Sequence, residues 1–214
     1  MENSQAYKYL IEQVKATGSK KMDGYYPKIL EEVYDWERND VEDIIWNNFV
    51  YKNDFDLSVF LPKLKNHNGI EALKDKLKKC SIPGGNSVSI AKVLYESTGD
   101  EYYIKVIKEN IEKKPDESSY VAMLSYAKPS SELYDLLVEI YINSNDEMIR
   151  NSAVNGILYN KQFINDPYSF KEIMRVSVIR KLFDKKSKEE RKRVIEQLQT
   201  GELDHYNTNF PVTN

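Results

Sequence analysis

The 214-residue chain is poor in the residues that catalysis, metal binding and disulfide frameworks use: it has one cysteine, two histidines and two tryptophans. A lone Cys80 has no partner for an internal disulfide, which fits a reducing compartment and points to the cytoplasm. No apolar run approaches the ~20 residues of a membrane span, so no membrane partner is expected. The first ten residues have no basic stretch leading into an apolar one, which argues against a secretory signal. His67 sits in Asn66-His67-Asn68-Gly69, a loop pattern, and His205 in a polar stretch, neither at metal or triad spacing from a partner. There is no His-Glu-x-x-His, no Gly-x-Gly-x-x-Gly and no Walker loop. The expectation is a protein with no catalytic residues, no metal and no cofactor. Gly84-Gly85 reads as a plain turn, and Cys80, at the end of an apolar-periodic stretch, as a small half-buried side chain. The acid pairs Glu31/Glu32 and Asp40/Asp43 read as solvated faces.

Seven prolines and eight glycines are few for this length, so turns are few and regular elements long. Apolar residues make up 41% and charged residues 30%, enough of each for a core and a solvated surface. At roughly 150 residues per domain, one domain over residues 1–200 followed by a polar tail, 201–214, is expected. The net charge of −3 weighs against non-specific nucleic-acid binding, but the charge is unevenly spread. Residues 22–56 hold ten acids and three bases, and residues 171–193 hold ten bases and four acids. Lysine outnumbers arginine 25 to 6, a choice for solubility over bidentate clamping. Sixteen tyrosines serve both core and recognition surface.

Helical periodicity runs through the chain. Leu133, Leu136, Leu137, Ile140 and Tyr141 form one apolar stripe, as do Tyr103, Ile104, Ile107 and Ile111. Thr98-x-x-Glu101, Ser144-x-x-Glu147 and Ser187-x-x-Glu190 read as capping boxes, and no stretch alternates with the period of a strand. Helices are predicted over 4–17, 26–36, 40–51, 55–66, 69–80, 87–97, 100–113, 116–127, 130–143, 146–160, 168–183 and 187–200. The last eight form four hairpins starting at 69, 100, 130 and 168, intervals of 31, 30 and 38 residues, the mark of stacked repeats.

The run Asp146-Glu147-Met148-Ile149-Arg150-Asn151-Ser152-Ala153-Val154-Asn155-Gly156-Ile157 resembles the second helix of a HEAT repeat, Asp-x-x-Val-Arg-x-x-Ala-x-x-Gly/Ala-Ile/Leu. The likeness covers residues 130–160. It implies an all-α fold, a short right-handed α-α superhelix of the HEAT/armadillo solenoid kind over 69–200, with residues 1–66 a divergent helical cap. It also implies that Asp146 and Arg150 are structural, as members of a ladder between repeats. In the preceding repeat Asp116 stands where the acid belongs, but Tyr120 replaces the arginine.

A solenoid offers a surface lined by the second helix of each hairpin, and protein recognition is its usual use. The expected contact residues there are Asn151, Asn155 and Tyr159, with Tyr120 and Tyr126 on the helix before. The chain also resembles the immunity proteins of bacterial polymorphic and contact-dependent toxin systems, some of them HEAT-like, which cover a cognate and often basic toxin. That likeness implies an acidic block of Asp35, Glu37, Asp40, Glu42 and Asp43 facing the partner, with Tyr25, Tyr26 and Trp36 as anchors. Within protein recognition a generic scaffold or adaptor is the other reading; the alternative outside it is a HEAT-like DNA-binding protein or DNA glycosylase, to which Trp36 and Trp46 with Asp40 and Asp43 between them are similar. Their acidic setting is the wrong sign for a DNA groove, and both tryptophans also suit the core of the cap.

Overall fold

A computed structural model describes residues 2–21, 24–166 and 169–207. Among them every regular element is helical. The predicted helix start at Tyr168 and the last seven tail residues lie outside the described residues. The chain divides into two compact units, Met1–Ser81 with Ser89–Gly99, and Ile82–Val88 with Asp100–Asn214.

The first unit contains α1 (Gln5–Lys15), α2 (Ile29–Glu32), α3 (Arg38–Lys52), α4 (Gly69–Leu77) and most of α5 (Gly85–Thr98). The helices at 69–98 therefore pack with the N-terminal ones. Leu10, Ile29, Val41, Ile45, Phe49, Leu57, Phe60, Leu61, Leu73 and Leu94 are its core. Two predicted helices come out differently. The stretch 26–36 breaks after Glu32, where Val33 and Tyr34 turn extended (ψ 149° and 151°), and resumes as a 3₁₀ turn, Asp35–Glu37, running into α3. The stretch 55–66 is a 3₁₀ segment, Phe55–Lys63. Its Pro62 has no amide hydrogen to donate into an α-helical ladder.

The second unit is built of α6 (Tyr102–Lys113), α7 (Ser118–Leu124), α8 (Ser131–Asn143), α9 (Glu147–Asn160), α10 (Phe170–Leu182) and α11 (Lys188–Gln199). Before α6, the Ile82-Pro83 peptide is cis. Fully buried Asn110 ties the start of α5 to α6. Its Oδ1 accepts from Gly84 N (2.8 Å) and Ser87 Oγ (2.6 Å), and its Nδ2 donates to Val106 O. Ser187 and Glu190 form the predicted capping box. The other two boxes do not form. Thr98 donates to Leu94 O inside α5, and the cap of α6 is Glu101. Asp146, not Ser144, caps α9 by accepting from Ile149 N. Among the described residues Arg150 pairs with no acid; its Nη1 reaches back to the carbonyls of Asn145 (2.8 Å) and Ser144 (3.3 Å). Arg191, part of the basic run, is buried, and its guanidinium donates to Ile142 O and Lys186 O, holding α11 against α8. The start of the polar tail is docked: Leu203 is buried, and Asn207 accepts from Arg175 of α10.

Gly156 brings α9 close to α7 and α8. A Cβ there lies 2.6 Å from Leu137 Cδ1 and 3.3 Å from Ser125 Cα, and Leu137 is fully buried. Alanine gains about 1 kcal/mol of helix propensity over glycine, while overpacking costs about 1–3 kcal/mol. Gly156→Ala is therefore expected to lose about 1 kcal/mol net, measured by urea unfolding followed in the far-ultraviolet. A stabilised variant would show that Leu137 repacks freely.

Candidate functional site

The most distinctive surface of the first unit begins with a buried carboxylate. Glu37, read from the sequence as a contact residue, is 1% exposed. Its oxygens accept from Ser4 N (2.8 Å), Ser4 Oγ (2.6 Å) and Tyr34 N (2.9 Å). Burial works against its charge, but these donors hold its pKa below the ordinary value. Glu37 thus positions the surface by pinning the Tyr34–Glu37 turn to the start of α1, where Ser4 also caps Tyr7 N. Glu42 is likewise interior.

On that pinned turn two aromatic rings stand in solvent. Tyr34 is 50% and Trp36 51% exposed, with ring centroids 6.0 Å apart. Trp36 is therefore not a core anchor. The 3₁₀ turn runs into α3, so residues 36, 40, 43, 47 and 51 follow one helical face. They are Trp36, Asp40, Asp43, Asn47 and Tyr51, all exposed. Asp35, Glu31 and Glu32 are exposed beside them. Asp40 accepts from Tyr7 Oη at 2.5 Å, a bond that pushes the Tyr7 pKa up to about 12. Glu31 meets Lys63 at 3.5 Å, an exposed pair of little energetic consequence.

Tyr26 is exposed and its hydroxyl donates to Glu32. Tyr25 is not a free anchor. It is half-buried against Phe60, its hydroxyl donates to Asp54, and Lys21 bridges to Asp54 at 2.7 Å. Burial first, then the Asp54 bond, raises its pKa.

Pattern reading left His67 without a partner, but the fold supplies two. Its ring stacks on half-buried Trp46 (4.6 Å, 10°), and Nε2 lies 2.7 Å from Asp43 Oδ1. Among the described residues no group of three histidine, cysteine or acidic side chains has metal-binding geometry. Burial pushes the Cys80 thiol up in pKa, the wrong direction for a nucleophile.

In the second unit Tyr120 is buried and cannot contact a partner. Tyr126 and Tyr159 are half-buried and meet edge to face at 5.8 Å. Asn151 is exposed, while Asn155 is half-buried with an Oδ1 that finds no donor among the described residues. Tyr34, Tyr51 and His67 are the surface residues that pattern reading missed. The spacing 36, 40, 43, 47, 51 marks Tyr51; nothing local marks His67. Among the described residues no helix is long and apolar enough to cross a membrane. In comparison with known proteins, no family model, curated protein or solved structure matches the chain.

Proposed function

We propose that the chain is a non-catalytic protein-binding module whose acidic, aromatic face on α2, the Asp35–Glu37 turn and α3 docks a basic protein. The observation that carries this reading is the exposed Tyr34–Trp36 pair, set among Glu31, Glu32, Asp35, Asp40 and Asp43 on a turn pinned by Glu37. Aromatic rings on a rigid element supply contact area at small entropic cost, and surrounding carboxylates steer a basic partner. Of the contact residues drawn from sequence, Tyr26, Asp35, Trp36, Asp40 and Asp43 remain in this role. The HEAT-like hairpins α6–α7 and α8–α9 belong to a short solenoid. The protein neutralises a cognate basic toxin in the bacterial cytoplasm, in the manner of the immunity proteins it resembles.

The test is affinity purification from the native organism, with the recovered partner then measured by stopped flow. Reversing Asp35, Asp40 and Asp43 to lysine is expected to slow association at low salt by about tenfold or more. Glu37 is left intact because its carboxylate holds the turn. An unchanged on-rate overturns the assignment of the face. Retention on heparin with steep salt dependence and no protein partner supports nucleic-acid binding instead.

A further inference from the structure

The second unit carries two unpartnered features that fit each other. The first is a groove of about 520 Å³ between α6, α8 and the turn into α9. That volume lies within the roughly 300–1,000 Å³ of ligand-sized sites. Ile111, Leu136, Ile140 and Ile149 make its floor, and Glu112, Asp116, Glu139 and Asp146 stand around it. Among the described residues the one cation lining it, Lys108, is already engaged, 2.7 Å from Glu139 and 3.9 Å from Glu112. The groove is therefore apolar below and acidic above.

The second feature is the outer face of α10. Phe170, Met174 and Val178 are 75%, 55% and 51% exposed. At i, i+4 and i+8 they form one stripe, about 12 Å long at the α-helical rise. Lys171 and Lys181 are exposed at its two ends. An aligned apolar stripe in solvent marks a contact surface, and three anchors at this spacing are the pattern by which a helix enters a groove.

We propose that the chain binds a second copy of itself, α10 of one copy lying in the groove between α6, α8 and α9 of the other. Phe170, Met174 and Val178 meet the isoleucine and leucine floor, and Lys171 and Lys181 meet the exposed rim carboxylates Glu112, Asp116 and Asp146. Groove and stripe are different patches, so the contact is heterologous. It is also small, which places self-association at roughly 10 µM to 1 mM.

The test is sedimentation of the full chain across that range. The expected result is a weight-average mass that rises with concentration. Met174→Glu sets a carboxylate against the acidic rim, and Glu112→Lys with Asp116→Lys reverses the rim. Each is expected to weaken association about tenfold or more. All these side chains are exposed, and circular dichroism verifies that the variants fold. Mixing the rim variant with Lys171→Glu/Lys181→Glu is expected to restore association between the two. A chain that stays monomeric throughout, association undiminished in either variant, or no recovery on mixing overturns the proposal. So does loss of association on reversing Asp35, Asp40 and Asp43, because α10 would then be docking on the first unit's acidic face.

Discussion

Gly69→Ala is expected to destabilise the first unit by about 3 kcal/mol, at the upper end of overpacking costs. A Cβ at Gly69 falls 1.9 Å from Leu61 O, 2.4 Å from Leu61 C and 2.9 Å from Leu61 Cα. These are backbone atoms of a fully buried residue in the Phe55–Lys63 segment, so relief requires moving that segment away from α4. The usual advantage of alanine in a helix, about 1 kcal/mol, is too small to offset the collision. Trp36 and Trp46 both belong to the first unit, so tryptophan emission during urea unfolding reads the change where it occurs. Gly85, at the start of α5 in the second unit, is the control, followed in the far-ultraviolet. Nothing lies within 4 Å of a Cβ there, and Gly85→Ala should leave the midpoint unchanged or slightly raised. An unchanged midpoint for Gly69→Ala would mean that the Leu61–Gly69 approach is not required.

Glu42→Gln is expected to cost about 3 kcal/mol, the scale for breaking a buried ion pair. The Glu42 side chain is 0% exposed. One oxygen accepts from Arg38 Nε (2.6 Å) and the other from the amides of Lys65 (2.8 Å) and Asn66 (2.9 Å). Arg38 in turn donates to Leu30 O and to Lys63 O. One carboxylate thus ties α3 to the end of the 3₁₀ segment and the approach to α4. Glutamine has the same shape, but whichever way its amide is placed, its NH₂ faces a donor.

This contribution depends on pH in a defined direction. Burial alone raises the Glu42 pKa, but the bonds from Asn66, Arg38 and Lys65 outweigh it and leave the folded value below the ordinary 4.5. A depressed carboxylate binds its proton less readily in the folded state. Its stabilisation is fully present above pH 4.5 and is lost as pH falls through the folded value. The gap between wild type and Glu42→Gln should therefore stay constant from neutral pH down to about 4.5 and close as the pH falls through the folded value below that. A gap independent of pH would mean that the carboxylate's charge is not what these donors read.

The same two glutamates explain why the acidic block was only partly legible. Glu37 and Glu42 sit in one run with Asp35, Asp40 and Asp43, and sequence has no means of separating them. Beside one local donor each, their donors come from far along the chain, Ser4 for Glu37 and residues 65–66 for Glu42. Each therefore turns inward while its neighbours stay in water. Trp36 shows the opposite: a large apolar side chain in a helical pattern reads equally well as core. It is exposed because Val33 and Tyr34 leave the helical conformation and re-aim the turn that follows.

The amino-acid sequence determined on its own that the chain is helical and where its long helices run. Apolar spacing near 3.6 residues and the cap at Ser187 act over three or four residues. Only the tertiary structure decided that α4 and most of α5 pack with the N-terminal helices, that Asp43 and Trp46 hold His67, and that α10 keeps an apolar stripe in water. Those outcomes depend on which helix faces meet, and contacts between residues distant in the chain leave no periodic trace within any one segment.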